Sequence, residues 1–88
     1  MAWTIEFSTS AEKSLRKLDR EAARRIAKFI DHRLSVLDDP RHIGKPLQGV
    51  LHERWSYRVG DYRLICELQD DRLIVVVIEI GHRREIYR

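Results

Sequence analysis

Two segments of alternating polarity meet at Gly60-Asp61, and this arrangement predicts a β-hairpin. A two-residue turn at these positions sets the register of the strands, so that Val59 pairs with Tyr62 and Arg58 lies directly opposite Arg63. One face of the hairpin is then apolar and belongs to the core. The other face is polar and largely basic, and it presents Arg54, Ser56, Arg58 and Arg63.

The opposed arginines need an explanation, because like charges facing each other across a strand pair are destabilising. A bound anion would neutralise them, and the choice of basic residue supports this interpretation. Of the 17 basic residues, 13 are arginine and four are lysine. Arginine has the planar, forked donor that grips phosphate or carboxylate. Arg54 projects from the same face, opposite Glu67. The alternative is that these arginines form the solvated side of an amphipathic hairpin.

The first half of the chain predicts one strand and two helices. Residues 2–7 alternate in polarity as a strand does. A helix follows the potential caps at residues 8–10, where Thr9 and Glu12 have the spacing of a capping box. After a break at Asp19, a second helix should stop at Asp38-Asp39-Pro40, because the residue before proline avoids the helical region. The apolar stripe of this helix consists of Ala22, Ile26, Phe29, Ile30, Leu34 and Leu37.

The second half predicts a loop and three strands. Residues 41–50 carry two glycines and a proline, which favours a loop. Gln69-Asp70-Asp71 predicts a second turn, and Leu73–Ile80 is apolar on both faces, as is typical of a central strand covered on each side. The whole order predicts an α+β fold, in which an antiparallel helical hairpin packs on one face of a mostly antiparallel sheet. The N-terminal strand precedes the helices, and the last three strands form an antiparallel meander.

Length and composition limit the class of protein. The 88 residues predict a single domain over residues 1–88 with a thin core and a net charge of +3. The single cysteine, Cys66, excludes an intramolecular disulfide and lies in an apolar run as a core residue. The N-terminus lacks the pattern of a signal peptide, and the apolar run Leu73–Ile78 is too short to span a bilayer. We therefore expect a cytoplasmic protein with no membrane partner.

The C-terminal segment brings further reactive groups to the end of the sheet. It follows the apolar strand directly, and Gly81 allows the chain to turn there. Histidine titrates near neutral pH, and His82 is followed by two arginines, Arg83 and Arg84, and by the phenol of Tyr87. These groups are expected to meet whatever the basic hairpin face binds. The alternative for Tyr87 is that it only packs the chain terminus.

Two motifs resemble the signature of the RelE toxins of the RelE/ParE superfamily. They are Trp55-Ser56-Tyr57-Arg58-Val59-Gly60-Asp61-Tyr62-Arg63-Leu64 and, further along the chain, Gly81-His82-Arg83-Arg84-Glu85-Ile86-Tyr87. The N-terminal strand, the helical hairpin and the loop Lys45-Pro46-Leu47-Gln48-Gly49 match as well, so the resemblance covers essentially the whole chain. It implies a toxin of a type II toxin–antitoxin system that is bound by a RelB-like antitoxin in a hetero-oligomer.

The resemblance also implies a chemistry. It implies a ribosome-dependent endoribonuclease that cleaves messenger RNA in the A site by attack of a ribose 2′-hydroxyl on the adjacent phosphate, with no metal and no cofactor. By motif matching, the resemblance implies that Arg63 contacts the scissile phosphate and that Arg83 stabilises charge and can also serve the leaving group. Tyr87 stacks on or orients the nucleotide, and Arg54 falls where a family lysine sits. Ser56 departs from the family pattern, which often has a second basic residue there.

This chemistry needs a base for the 2′-hydroxyl, and the identity of that base stays open. Arginine cannot serve, because its pKa exceeds about 12. The ordinary pKa of histidine, about 6.5, suits the task, which makes His82 the first candidate and Glu53 the second. The other histidines have no spacing that predicts a metal site; they are His32, His42 and His52.

Two rival functions are also compatible with the sequence. A ParE-like toxin of the same fold would bind DNA gyrase and carry no nuclease chemistry, but ParE members generally lack the paired hairpin arginine and the His/Arg…Tyr tail. A non-catalytic nucleic-acid-binding module would use the basic face alone. A neighbouring gene that encodes a protein with a DNA-binding N-terminus and an acidic, helical C-terminus would favour the toxin.

Overall fold

The computed structural model describes residues 3–47 and 54–82. Arg83, Arg84, Tyr87 and the candidate base Glu53 lie outside these ranges. No helix within them has the length and apolar character needed to cross a membrane. The elements are, in chain order, β1 (Thr4–Phe7), α1 (Thr9–Lys17), α2 (Arg20–Phe29), a π-helical turn (Ile30–Leu34), a 3-10 turn (Pro40–Ile43), β2 (Lys45–Pro46), β3 (Arg54–Val59), β4 (Tyr62–Gln69) and β5 (Ile74–His82).

The strands of the described residues form one five-stranded mixed sheet in the order β1-β5-β4-β3-β2. Strands β3, β4 and β5 make the antiparallel meander that the sequence predicts. Strand β1 pairs with β5 in parallel, so β5 lies inside the sheet between β1 and β4. The predicted loop over residues 41–50 is partly wrong, because Lys45 and Pro46 form a short edge strand opposite Ser56 and Trp55. Proline is tolerated there because an edge strand leaves one side unpaired. The predicted α+β class is confirmed.

The register of the β3–β4 hairpin is also confirmed. Val59 pairs with Tyr62, and Arg58 pairs with Arg63. Gly60 has a φ of 60°, a conformation that glycine adopts at no steric cost in a two-residue hairpin turn. This tight local turn therefore determines which side chains of the hairpin share a face.

The turn between β4 and β5 lies further along the chain than predicted. It occupies residues 70–73. Leu73, which the sequence places in the strand, has a φ of 52° and closes this turn instead. The strand therefore begins at Ile74.

A bulge interrupts the pairing of β4 with β5. Ile65 pairs with Glu79, whereas the next residue, Cys66, pairs with Val77, so β5 contributes the extra residue Ile78. Side chains alternate between sheet faces with a period of two, and the extra residue shifts that alternation along β5. As a result Glu79 lies on the face of Ile65, away from the core.

Helix α1 begins one residue earlier than the capping box predicts. Ser8 is the N-cap, and its hydroxyl accepts a hydrogen bond from the backbone N–H of Ala11 at 3.0 Å. The same hydroxyl donates to the backbone oxygen of Ile78 at 2.8 Å, which ties the helix start to β5. The predicted pairing of Thr9 with Glu12 is wrong, because Thr9 is already the first helical residue.

The second helix is shorter than its apolar stripe predicts. Helix α2 ends at Phe29 and continues as a π-helical turn to Leu34, whereas the stripe reaches Leu37. The backbone N–H of Trp3 donates to the oxygen of Ser35 at 3.1 Å, so the start of the chain contacts the backbone just beyond the helical turn. Leu34 is fully buried and is the last stripe residue in the core.

The core lies between the helices and one face of the sheet, as predicted. Helix α1 packs on β5 and β1, and α2 packs on β3. Tyr57 is fully buried and its hydroxyl donates to the backbone oxygen of Pro40 at 3.0 Å. Within the described residues no helix packs on the other face of the sheet, and Val76 and Ile78 are half-buried there. The prediction that β5 is covered on both faces is therefore correct for one face. The buried cluster comprises Trp3, Ala11, Ile26, Ile30, Leu34, Tyr57, Leu64, Cys66, Leu68, Val75, Val77 and Ile80.

Candidate functional site

The sheet face opposite the helices carries the predicted basic residues. Alternation along β3 and β4 places them together, because the residues between them in the sequence point into the core. Arg58 is exposed and its Nε donates to the backbone oxygen of Gly60 at 3.3 Å. Its cross-strand partner Arg63 is half-buried. We call this surface the arginine face, defined by Arg54, Ser56, Arg58 and Arg63.

The arginine face contains buried polar atoms that lack a hydrogen-bond partner within the described ranges. They include the hydroxyl of Ser56, a residue that is 4% exposed, and Nε of Arg54. Leaving a buried polar group unsatisfied costs about 1–3 kcal/mol. Both groups can donate a hydrogen bond. These donors would be satisfied by an acceptor, such as a phosphate oxygen, that displaces the groups covering them.

The arginine face is bordered by two carboxylates. Glu67 lies opposite Arg54, and Glu79 lies opposite Ile65. Glu67 accepts a hydrogen bond from the Gln69 side chain at 3.3 Å, and Glu79 is exposed. The excess of positive charge is thus at the hairpin-turn end of the face. The sequence pattern did not identify Glu79, since its orientation depends on the bulge.

The structure does not bring His82 to the arginine face. His82 pairs with Tyr62, while the neighbouring Gly81 pairs with Arg63. The rings of His82 and Tyr62 meet edge to face with centroids 5.7 Å apart. Because adjacent residues of a strand point to opposite faces, His82 lies on the helix side. There it lines a cleft together with Ser14, Lys17, Leu18, Tyr62, Ile80 and Gly81.

The C-terminal residues that the resemblance singles out follow directly from this point. Arg83, Arg84 and Tyr87 lie outside the described residues. The last described pairs of β5 join Gly81 to Arg63 and His82 to Tyr62. The described part of β5 therefore ends next to the hairpin residues Arg63 and Tyr62.

Cys66 and Asp39 have clearly shifted pKa values, and neither residue lies on the arginine face. Burial raises the pKa of the Cys66 thiol to about 12, which fits a core residue and not a nucleophile. The backbone N–H of Arg41 lowers the pKa of Asp39. Arg41 also bridges Asp39 and Asp70, at 3.0 and 2.6 Å, and so links the 3-10 turn to the turn before β5. The described side chains contain no group of three or more His, Cys, Asp or Glu that could hold a metal ion.

Comparison with known proteins gives concordant matches over nearly the whole chain. A family model described as the ParE toxin of a type II toxin–antitoxin system matches residues 5–87. Toxin RelG of Mycobacterium tuberculosis is 35% identical over 88 residues, covering 100% of this chain and 99% of that protein. The mRNA interferase toxin RelE of Escherichia coli is 30% identical over 90 residues, covering 99% and 92%. A chain of the RelBE2 toxin–antitoxin complex of M. tuberculosis is 32% identical and superposes with a TM-score of 0.84, covering 94% of this chain and 93% of that one.

The fold and these matches define a class, the small toxins of type II toxin–antitoxin systems. The chain belongs to the ParE toxin family of such systems and is, within the RelE/ParE superfamily, a RelE-type toxin. The family model carries the ParE name, whereas the two relatives described above are a RelG toxin and a RelE toxin. The RelE type is assigned from these individual relatives, because their sequence similarity extends over nearly the full chain and the structural match is also to a RelBE toxin–antitoxin complex. The resemblance read from the sequence is confirmed.

Proposed function

We propose that this toxin is an endoribonuclease that cleaves messenger RNA in the ribosomal A site by attack of a 2′-hydroxyl on the adjacent phosphate. The observation that carries the proposal is the arginine face. On this face Arg58 and Arg63 lie opposite each other across a strand pair, and the hydroxyl of Ser56 is buried without a described hydrogen-bond partner. Such an arrangement is costly in the free protein and is relieved by a bound phosphate. The E. coli relative that is named an mRNA interferase supports the choice of RNA as the substrate.

The arginine face suits the charge that develops in this reaction. Attack of the 2′-oxygen on phosphorus forms a pentavalent, doubly charged phosphorane, and loss of the 5′-oxygen then leaves a 2′,3′-cyclic phosphate and a free 5′-hydroxyl. Fixed donors aimed at developing charge contribute much of the rate enhancement of such sites. We assign this role to Arg58 and Arg63, with the Ser56 hydroxyl as a neutral donor to a phosphate oxygen. By motif matching, Arg83 joins them and Tyr87 orients the nucleotide.

For the base that accepts the proton of the 2′-hydroxyl we propose a different residue from the first candidate of the sequence analysis. His82 faces the helices, so it is poorly placed to accept a proton from RNA held by Arg63. Glu79 lies on the correct side of the sheet and is exposed. It is a diagonal neighbour of Arg63, a relation that separates the two residues by about 7–8 Å across strands. We therefore propose Glu79 as the better-placed proton acceptor.

The requirement for a ribosome is supported by the openness of the arginine face. Within residues 3–47 and 54–82 no element lies over this side of the sheet. A flat cationic surface attracts phosphates of any sequence, but it cannot by itself hold one phosphodiester in line for attack. A messenger already fixed in the A site would supply that missing order. The proposed site of action is accordingly the cytoplasm.

We also propose that a RelB-like antitoxin, encoded beside the toxin, binds it in a hetero-oligomer. The support is the similarity to a chain of the RelBE2 toxin–antitoxin complex and the small core of this chain, to which a partner would add buried surface. Co-expression with the product of the neighbouring gene should give a complex on gel filtration that melts well above the free toxin. Two separately eluting proteins would contradict this part of the proposal.

A second candidate function follows from the ParE name of the family model, which favours inhibition of DNA gyrase. One pair of assays separates the two. Purified toxin is added to ribosomes programmed with a defined messenger, and cut sites are mapped by primer extension; in parallel it is added to gyrase with supercoiled plasmid. The proposal expects cuts within the A-site codon and no accumulation of cleaved plasmid. An intact messenger with cleaved plasmid would favour the gyrase poison instead.

A further inference from the structure

The edge strand β2 has no role in the chemistry proposed above, yet it places a lysine next to the arginine face. Lys45 pairs with Ser56 across the β2–β3 ladder. We propose that Lys45 and Ser56 form a second phosphate-binding position, which holds the RNA phosphate adjacent to the scissile one. This inference rests on the proposed function and adds a substrate-binding residue to it.

The register shows on which face of the sheet Lys45 lies. Residues directly opposite each other in an antiparallel pair have their side chains on the same face, so Lys45 shares the face of Ser56. The preceding residue gives independent evidence. A Cβ on Gly44 would lie 2.7 Å from Cε1 of the buried Tyr57, so position 44 faces the core. Because successive residues point to opposite faces, Lys45 points away from the core.

Lys45 lies among hydrogen-bond donors of the arginine face. Directly opposite is the buried hydroxyl of Ser56, which lacks a hydrogen-bond partner within the described ranges. Arg54 and Arg58 are its diagonal neighbours on β3. Lysine carries its ammonium on a flexible four-carbon stem, so this group can reach a ligand above Ser56. A phosphate oxygen that displaces the groups covering Ser56 would accept hydrogen bonds from both the hydroxyl and the ammonium.

The charge of Lys45 is available to such a ligand. Its side chain is exposed, and among the described residues no ion pair involves it. The carboxylates that border the arginine face, Glu67 and Glu79, lie on β4 and β5. These strands are two and three strand spacings from β2, which is at least about 10 Å. Neither carboxylate therefore neutralises Lys45 directly.

Protection of the sheet edge does not account for Lys45. Lysine is common on edge strands because it discourages pairing with another sheet. Strand β2, however, is two residues long and contains Pro46. The backbone N–H of Leu47 donates to the oxygen of Arg54 at 3.0 Å, so the nitrogen of Pro46 faces the outer edge, where it has no hydrogen to donate. The edge is thus protected without a lysine.

The spacing identifies which phosphate Lys45 would bind. Arg58 and Arg63 are assigned to the scissile phosphate, and Lys45 is the diagonal neighbour of Arg58. Diagonal neighbours are about 7–8 Å apart, a separation similar to that of neighbouring phosphates in an extended RNA strand. An RNA strand that crosses the sheet from Arg63 towards β2 would therefore bring one phosphate to each position. Two held phosphates would also fix the orientation of the phosphodiester between them and the nucleophile.

The first test measures binding of a short single-stranded RNA to purified toxin by fluorescence anisotropy, from about 50 mM to about 1 M salt. Each phosphate contact on a single strand contributes about 0.7 to the slope of log Kd against log salt. Lys45→Gln should lower the slope by about 0.7, which gives about eightfold weaker binding at about 50 mM and convergence with the wild type towards 1 M. Lys45→Arg keeps the charge and should retain the wild-type slope.

Lys13→Gln is the matched control, because Lys13 is an exposed lysine of α1, which packs on the opposite face of the sheet. It makes the same change in net charge and should leave the slope unchanged. Equal loss in Lys45→Gln and Lys13→Gln would attribute the effect to net charge and overturn the inference. An unchanged slope for Lys45→Gln, or no RNA binding by the wild-type toxin at about 50 mM salt, would overturn it as well.

The second test locates the phosphate on programmed ribosomes. A methylphosphonate linkage removes the charge of a single phosphate, and two messengers carry it on the linkage before or after the cut position. Lys45→Gln should cut the native messenger at least about threefold more slowly than the wild type, and the two proteins should cut one of the modified messengers equally. An equal loss on all three messengers would overturn the inference.

These measurements keep this inference distinct from the proposed function. If the slope falls as expected for Lys45→Gln but the wild-type toxin cuts no messenger, the proposed function fails, while the phosphate-binding role of Lys45 stands. If the wild-type toxin cuts messenger and the slope is the same for Lys45→Gln, the proposed function stands and this inference is wrong.

Discussion

Replacing Arg63 by glutamine should separate activity from stability. The substitution removes one of two opposed charges but keeps the side chain as far as Cδ and a polar end, on a strand whose register is fixed by the Gly60 turn. If Arg63 stabilises the phosphorane, its loss should lower the cleavage rate by about 10²–10³, as the loss of a single oxyanion donor does. This corresponds to about 3–4 kcal/mol of the activation free energy.

The free energy of unfolding should respond differently. Like charges opposite each other across a strand pair cost about 0.2–1 kcal/mol. Their removal offsets any packing lost from the half-buried side chain of Arg63. The net change should therefore stay within about 1 kcal/mol, which shifts the melting temperature of a domain of this size by no more than about 4–8 °C.

The assay is primer extension on programmed ribosomes, paired with thermal unfolding of the same preparations. Arg72→Gln is the matched control, because Arg72 is an exposed arginine in the turn before β5. It makes the same change in charge and should leave both readouts unchanged. The reasoning would be refuted by an Arg63→Gln protein that cuts at the wild-type rate, or by one that is inactive only because it no longer folds.

Three further outcomes follow from the structure. Ser56→Ala removes a buried hydroxyl without a described partner, so denaturant unfolding should show equal or higher stability, while cleavage falls about tenfold or more. Glu79→Gln should reduce cleavage more than His82→Gln does, because of these two residues only Glu79 lies on the same sheet face as Arg63. A larger loss for His82→Gln in the ribosome assay would favour His82 as the base. Cys66 should resist iodoacetamide up to about pH 9, because burial raises its pKa to about 12, and it should react once the chain is unfolded, as mass spectrometry would show.

Features that depend on local rules could be predicted from the sequence. The register of Arg58 with Arg63 depends only on a two-residue turn and on alternation within a single hairpin. The assignment of Cys66 to the core likewise follows from the apolar run around it. Both were predicted correctly because no distant contact enters the argument.

Features that depend on tertiary contacts could not be predicted from the sequence. The bulge that turns Glu79 away from the core, and the orientation of His82, depend on how β5 aligns with β4. Alternation within β5 alone cannot supply that alignment, since β5 is apolar on both faces for most of its length. The N-cap of α1 is set in the same way, because Ser8 is chosen by its hydrogen bond to Ile78 as well as by the helix.

The central claim is that the toxin cuts a messenger by using the messenger's own 2′-hydroxyl as the nucleophile. One measurement tests this claim directly. Programmed ribosomes receive either a native messenger or one with a single 2′-deoxy nucleotide at the cut position, and purified toxin is added. Phosphate and stacking contacts survive this change, so binding should be nearly unaffected. The account predicts that the native messenger is cut to a 2′,3′-cyclic phosphate and that the 2′-deoxy messenger is not cut at that position. Equal cutting of both messengers would contradict it.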